Sequence, residues 1–167
     1  MTLLRRAINS ALGLLDLEIR RKVEKPGAPF PVEFSAEEKQ LFKHVRDQQL
    51  TMVSDERLYA TMLACKHVIE HDIAGDFVEC GVWRGGNSLL AAALVKLYGA
   101  ARNVYLFDTF AGMTEPKRVD VDLSTGEPAE VRYATDQRAT HNEWCYASLE
   151  DVQASFARAG LLGTNVK

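Results

Sequence analysis

Cysteine is scarce in this 167-residue chain, and Cys65, Cys80 and Cys145 stand far apart. No C-x-x-C pair exists, which argues against a zinc ribbon or a redox dithiol. An odd cysteine count with no secretory pattern leads us to expect a reducing, cytoplasmic setting. Long apolar runs are missing too. The opening stretch MTLLRRAINSALGLLDLEIRRKVEK mixes Leu3, Leu4, Ile8, Leu12, Leu15 and Ile19 with Arg5, Arg6, Arg20, Arg21 and Lys22. Charge interrupts it too often for a bilayer span. Neither sign of charge dominates: 20 Lys and Arg face 23 Asp and Glu, a net of −3. Nothing global therefore points to nucleic acid. What is present, 47% hydrophobic and 26% charged residues, is ordinary for one globular domain with a real core.

The basic amphipathic opening has three readings: a packing or oligomer-forming arm, a membrane-surface helix, or a targeting peptide. Asp16 and Glu18 count against a transit peptide, and we favour the arm, with homo-oligomerisation as its corollary. EKPGAPFPVEF (24–34) reads as an extended linker. This divides the chain into an N-terminal helix and linker, 1–35, and a domain, 36–167. Ser35 and Glu38 have capping-box spacing, predicting a helix from about Ala36 to Gln49. Ser54 is the expected cap of the next, whose apolar stripe is Leu58, Met62, Cys65 and Ile69.

Beyond Gly75 the period changes. DFVEC and NVYLFD are short, apolar and β-prone, predicting two buried strands. GNSLLAAALVKLYG between them predicts a small-residue helix closed by Gly99. Strand, glycine turn, helix and strand make a right-handed parallel unit. A long irregular region is expected over about 109–146, of the kind that forms lids or binding loops. SLEDVQASFARAG predicts a helix capped by Ser148 and stopped by Gly160. The final residues read as the opening of a third strand at Asn165 or Val166, with the sequence stopping at Lys167. Two strands and a stub make a poor sheet, so we expect the N-terminal portion of a longer α/β protein.

GDFVECGVWRGGNSLL (75–90) carries the chemistry. Ligands of open parallel sheets bind at the carboxyl ends of the strands, where Glu79 and Gly81 fall. Gly81 permits a sharp turn and close approach. Gly85 and Gly86 bring the next helix near, with free N–H groups toward a ligand. Asp108, 27 residues past Gly81 (108 − 81), lies about where an acid accepts from ribose hydroxyls. The spacing Gly81-x-x-x-Gly85-Gly86 lacks the middle glycine of a dinucleotide fingerprint. Glu79 would repel a pyrophosphate but suits a sulfonium and an ammonium. Those groups belong to S-adenosylmethionine. The plainer reading is that Glu79 caps a turn and the glycines only allow packing.

Together, GDFVECGVWRGGNSLL, YLFDTFAGMTEP and TMVSDERLYA resemble the macrocin O-methyltransferase family, which tailors macrolide and aminocoumarin sugars. The resemblance runs from about Phe42 onward. It implies a class I methyltransferase, Rossmann-like parallel sheet, here truncated after the start of its third strand. It further implies S-adenosylmethionine as donor and magnesium-assisted transfer to a sugar hydroxyl. By the same resemblance, Thr51 and Met52 lie in the segment folding over the cofactor. Glu79, Cys80, Gly81, Val82 and Trp83 form the segment around its methionine end, with Gly85 counted among the cofactor-binding residues. Asp108 holds the ribose, and Thr109, Phe110, Ala111 and Gly112 complete that loop. Ser148 is implied at the adenine edge. The family's later LRLDTD-like and DDY-like acids do not occur here. The metal ligands are therefore expected beyond Lys167, none can be named in this chain, and turnover by this chain alone is not expected.

His141, in ATHNEWCY, is the candidate general base, against the commoner reading of a solvated loop histidine. Asp120 and Asp122 read as a solvated face before a metal site. Tyr133 and Trp144 either stack on a sugar or anchor the loop. Cys80 reads as inert packing on a buried strand. Two alternatives to the methyltransferase stay open: a non-catalytic cofactor-binding scaffold and a dinucleotide-binding oxidoreductase.

Overall fold

Ser35 starts the first helix with a reciprocal cap. Its hydroxyl accepts the Glu38 N–H at 3.3 Å, and the Glu38 carboxylate accepts the Ser35 N–H at 2.7 Å. Two donors that a helix start leaves open are thereby satisfied. The computed structural model describes residues 30–163 and 165–167; the amphipathic opening and most of the proline-rich stretch lie outside them. The last part of that stretch is packed, not extended into solvent. Phe34 is buried, and Phe30 sits 5.0 Å from the ring of Phe42 and 5.6 Å from that of Tyr59.

Helix α1 is Ala36–Asp47. It ends two residues before the expected Gln49, because Gln48 caps it and Gln49 turns left-handed at φ +52°. Helix α2 is Asp55–Glu70; Ser54 occupies its N-cap but makes no side-chain cap bond. Leu58, Met62 and Cys65 of the expected stripe are buried, and Ile69 packs at the edge. Strand β1 (Phe77–Cys80), helix α3 (Gly86–Leu97) and strand β2 (Val104–Phe107) form the predicted parallel unit. Phe77 pairs with Val104 and Cys80 with Phe107. Helix α3 is the centre of the core: Leu89 to Val95 are all buried. Its run Ala91–Ala93 lets α1, α2 and both strands approach closely.

Residues 165–167 run alongside β2, where the sequence leads one to expect a further strand, and make an isolated bridge there. Val166 bridges in parallel to Val104. Lys167 continues the ladder: its N–H donates to the Val104 carbonyl and its carbonyl accepts the Leu106 N–H, each at 3.0 Å. Strand β2 is thus hydrogen-bonded on both of its edges, to β1 and to residues 165–167.

Two expectations need correction. The strands are not buried on both sides. Phe77 and Glu79 turn toward the helical layer, whereas Val78 and Phe107 on the other face are 61% and 58% exposed. Side chains alternate across a strand, and among the described residues only one face of this sheet is covered. Cys80 belongs to the open face and is exposed, so it is not buried packing. The region 109–146 is also more ordered than expected. It contains helix α4 (Ala129–Asp136), preceded by a turn in which Asp122 accepts the N–H groups of Ser124 and Thr125 at 2.7 and 3.1 Å. Helix α5 is Leu149–Arg158, with the Ser148 hydroxyl accepting the Asp151 N–H at 3.1 Å.

One buried charge ties the helices together. Glu38 is fully buried. It pairs with Lys66 of α2 at 2.9 Å and accepts the Tyr98 hydroxyl, just past α3, at 2.8 Å. Burial alone would raise its pKa; the N–H of Ser35 and the Lys66 and Tyr98 donors overcome this and hold it below the ordinary value.

Candidate functional site

The carboxyl ends of β1 and β2 open onto a cavity of about 580 Å³, within the range of roughly 300–1,000 Å³ usual for small-molecule sites. Met52, Gly81, Trp83, Asp108, Thr109 and Gly112 of the expected residues line it, joined by Phe107, Met113, Thr114 and Cys145. Gly81, at φ +87°, needs the conformational freedom of glycine, and a β-carbon there would meet no protein atom within 4 Å. The turn therefore leaves room for a ligand beside its backbone.

Asp108 organises both loops around the cavity. Its Oδ2 accepts the N–H groups of Val82 at 2.6 Å and Trp83 at 3.1 Å, and its Oδ1 accepts that of Phe110 at 2.9 Å. Burial pushes its pKa upward, but the N–H groups of Phe110, Trp83, Val82 and Thr109 together outweigh burial and lower it. Thr109 steadies the same loop: its hydroxyl donates to the Gly112 carbonyl at 3.0 Å and accepts the Ala111 N–H at 3.2 Å. Phe110 turns its ring to the core. Val82 is buried there too, contributing only its N–H.

Glu79 stands elsewhere. Sharing the strand face of Phe77, it reaches the start of α3 and does not line the cavity. It accepts the Ser88 N–H at 3.1 Å, the Ser88 hydroxyl and the Asn87 amide at 3.3 Å. The N-cap of α3 is Gly85, at φ +82°, which has no side chain to cap with; Glu79 supplies the cap from the neighbouring strand. Burial pushes its carboxyl above the ordinary range, against the bonds from Ser88 and Asn87. The first N–H of α3, from Gly86, donates to the Leu50 carbonyl at 3.0 Å. Two N–H groups expected to face a ligand are thus taken by the protein itself.

The loop between α1 and α2 covers one side of the cavity. Thr51 accepts the Val53 N–H at 3.3 Å through its hydroxyl, and Met52 faces the opening. The opposite wall depends on Asn142, a residue sequence reasoning passed over in favour of its neighbour. Asn142 is buried. Its amide donates to the Tyr133 carbonyl at 2.8 Å and to Gln137 at 3.2 Å, and its oxygen accepts the Trp144 N–H at 3.0 Å. Met113 N–H donates to the Trp144 carbonyl at 3.0 Å, which brings Cys145 beside Gly112 and Met113. No periodicity or spacing marks Asn142 or Cys145 in the sequence.

His141 lies outside the cavity lining. Its ring stacks on Tyr146 at 4.0 Å and its Nδ1 is 3.2 Å from the Thr140 hydroxyl. Ser148 caps α5 and does not reach the cavity either. Trp144 carries Arg132 on its ring face, 4.6 Å from the centroid, which is the anchoring role. Among the described residues no group of three or more His, Cys, Asp or Glu side chains could hold a metal. Asp120 and Asp122 both serve local turns. Lys167, beyond which the metal ligands are expected, pairs with β2 through its backbone and is not part of the cavity lining. The expectation of ligands past Lys167 lies outside the described residues. No described helix is long and apolar enough to cross a membrane.

Residues 21–167 match the family model described as macrocin-O-methyltransferase (TylF). A Streptomyces olivaceus protein, 8-demethyl-8-(2,3-dimethoxy-alpha-L-rhamnosyl)-tetracenomycin-C 4'-O-methyltransferase, is 37% identical over 118 residues, 70% of this chain and 42% of that protein. Mycinamicin III 3''-O-methyltransferase of Micromonospora griseorubida is 32% identical over 120 residues, 70% of this chain and 44% of its own length. The structure of the O-methyltransferase NovP superposes with a TM-score of 0.57 at 26% identity, covering 71% of this chain and 46% of that one. The chain spans less than half the length of each of these relatives. On the family match, which takes in most of its residues, the chain belongs to the macrocin O-methyltransferase (TylF) family.

Proposed function

We propose that this chain is the cofactor-binding part of a cytoplasmic, S-adenosylmethionine-dependent O-methyltransferase with a class I, Rossmann-like sheet, acting on a sugar hydroxyl of a natural product or polysaccharide. The observation that carries this reading is the cavity at the strand ends, walled by the glycine turn and the Asp108–Gly112 loop. The residues present fit the cofactor. Gly81 leaves space at the backbone, while Met52, Trp83, Phe107 and Met113 offer apolar and aromatic surface for a purine and aromatic faces for a sulfonium. Bound there, S-adenosylmethionine would supply an electrophilic methyl group. The chain's own part is to bind and orient, because attack on a methyl is in-line and positioning dominates.

Magnesium assistance is not part of this reading. The described acids form no metal cluster, so the residues present do not fit the ion and no step is routed through it. His141, stacked on Tyr146 outside the cavity, is not assigned as a base. That placement favours a second reading, in which this chain alone binds the cofactor without turning over. The sugar acceptor is inferred from the names of the relatives. Self-association through the N-terminal arm remains our expectation, to be checked by sedimentation. Calorimetry with S-adenosylhomocysteine and with a nicotinamide dinucleotide tests the cofactor reading: the first should bind and the second should not. A methyl-transfer assay separates the two readings.

A further inference from the structure

We propose that the glycine turn is filled by an internal anion, the Asp108 carboxylate, which makes Asp108 a positioning and specificity-determining residue: it sets both loops of the cavity and closes the turn to phosphate-bearing ligands. This deepens the cofactor reading above and rests on it for the identity of the ligand.

Two consecutive N–H groups, those of Val82 and Trp83, converge on one carboxylate oxygen at 2.6 and 3.1 Å. Successive N–H groups turned to one side by a left-handed residue make the concavity that holds phosphate in many nucleotide-binding loops. Trp83 is such a residue, at φ +48°. The occupant is the side chain at the end of the neighbouring strand.

The backbone conformations point the same way. Among the described residues, five that are not glycine have positive φ: Gln49, Asp72, Trp83, Phe110 and Cys145. Gln49 and Asp72 follow the caps of α1 and α2, where a left-handed residue commonly stops a helix. Trp83 and Phe110 stop no helix, and both donate their N–H to Asp108. One carboxylate holds two sparsely populated conformations, one in each wall of the cavity. Such conformations persist only where the surroundings over-determine them.

The second place where a turn of this kind takes phosphate, the helix N-terminus, is closed as well. Glu79 takes the Ser88 N–H and Leu50 takes the Gly86 N–H. A pyrophosphate at the turn would meet the Asp108 carboxylate where it needs the Val82 and Trp83 donors, whereas a sulfonium or ammonium would meet favourable charge. An acid that acted only by accepting from ribose would need none of these backbone bonds.

Amide-resolved NMR on the full chain tests this. In the ligand-free wild type, Val82 and Trp83 amides should not shift when inorganic phosphate is added. In Asp108→Asn, exchange protection at Val82, Trp83 and Phe110 should fall by at least about tenfold, while Ser88, held by Glu79, keeps its own. Phosphate-induced shifts at Val82 and Trp83 in the wild type would overturn the proposal. So would unchanged protection in Asp108→Asn, the result a ribose-only role requires. If that variant does not fold, the wild-type titration decides alone. Failure of S-adenosylhomocysteine to bind would sink the cofactor reading yet leave these amide results standing, so the two can fail separately.

Discussion

A β-carbon on Gly86 would stand 2.5 Å from the carbonyl oxygen of Leu50, the same oxygen that accepts the Gly86 N–H at 3.0 Å. The loop between α1 and α2 is therefore seated directly on the start of α3. That contact carries Met52 to the mouth of the cavity. It also explains a glycine inside a helix, where alanine would otherwise be preferred.

Gly86→Ala should destabilise the fold by about 1–3 kcal/mol, the usual range for overpacking. Helix propensity favours alanine by about 1 kcal/mol, so the sign of the change shows which effect wins. Denaturant unfolding of the two proteins measures it. A more stable variant would mean that the Leu50 contact yields easily.

Asn142→Ala should cost about 1–3 kcal/mol, because it leaves the half-buried Trp144 N–H without its acceptor and removes the amide that bonds Tyr133 and Gln137. Gly112→Ala should be the more damaging change. Its β-carbon would fall 1.8 Å from the Asn142 carbonyl oxygen, at a backbone φ of +80°. Hydrogen exchange should locate the loss in residues 133–145 for the first variant. Loss spread evenly over α1 and α2 would contradict the role given to Asn142.

Lys66→Met should cost about 3–5 kcal/mol, since Glu38 would remain buried without its cation. The pH dependence has a definite sign. Glu38 has a folded pKa below its ordinary value of 4.5. Its contribution to stability is therefore present above that value and fades as pH falls through the lowered folded pKa. Unfolding free energies measured from neutral pH downward should show this fall in the wild type and a smaller one in Lys66→Met.

Glu79 behaves oppositely. Its folded pKa is raised, chiefly by burial, so its favourable contribution lies at low pH and is lost as pH rises through the folded value. At neutral pH Glu79→Gln should be no less stable than the wild type, because an amide oxygen can still accept the Ser88 N–H. Glu79→Ala, which removes the cap of α3, should cost about 0.5–2 kcal/mol. Thermal unfolding of both variants at neutral pH checks the pair; equal losses would show that the charge itself is needed.

Features set by neighbouring residues were readable from the chain alone. The Ser35–Glu38 box, the Leu58-Met62-Cys65 stripe and the glycine-bounded α3 depend on spacings of three and four, and all three are present. The cavity-lining Gly81 and Asp108 were readable because strand ends and glycine turns bind ligands for general reasons, whereas Trp83 and Thr109 were pointed to only by the family resemblance. The exposure of Val78 and Phe107 was not readable, since it depends on what covers a sheet face rather than on the strand itself. Helix α4 had a faint signal in the Arg132–Asp136 pair four residues apart, masked by the charged, turn-rich residues before it. The partners of Asp108 and Glu79 come from other elements, and an acid's position on a strand does not reveal which N–H groups will reach it. Alternation did contain a clue for Glu79, which shares the face of Phe77 and so points at α3.

The central claim is that the cavity at the ends of β1 and β2 binds S-adenosylmethionine. Amide-shift mapping of the wild-type chain during titration with S-adenosylhomocysteine tests it most directly. The account predicts saturable shifts centred on Gly81, Trp83, Thr109, Gly112 and Met113. No binding, or shifts centred away from these residues, would contradict it.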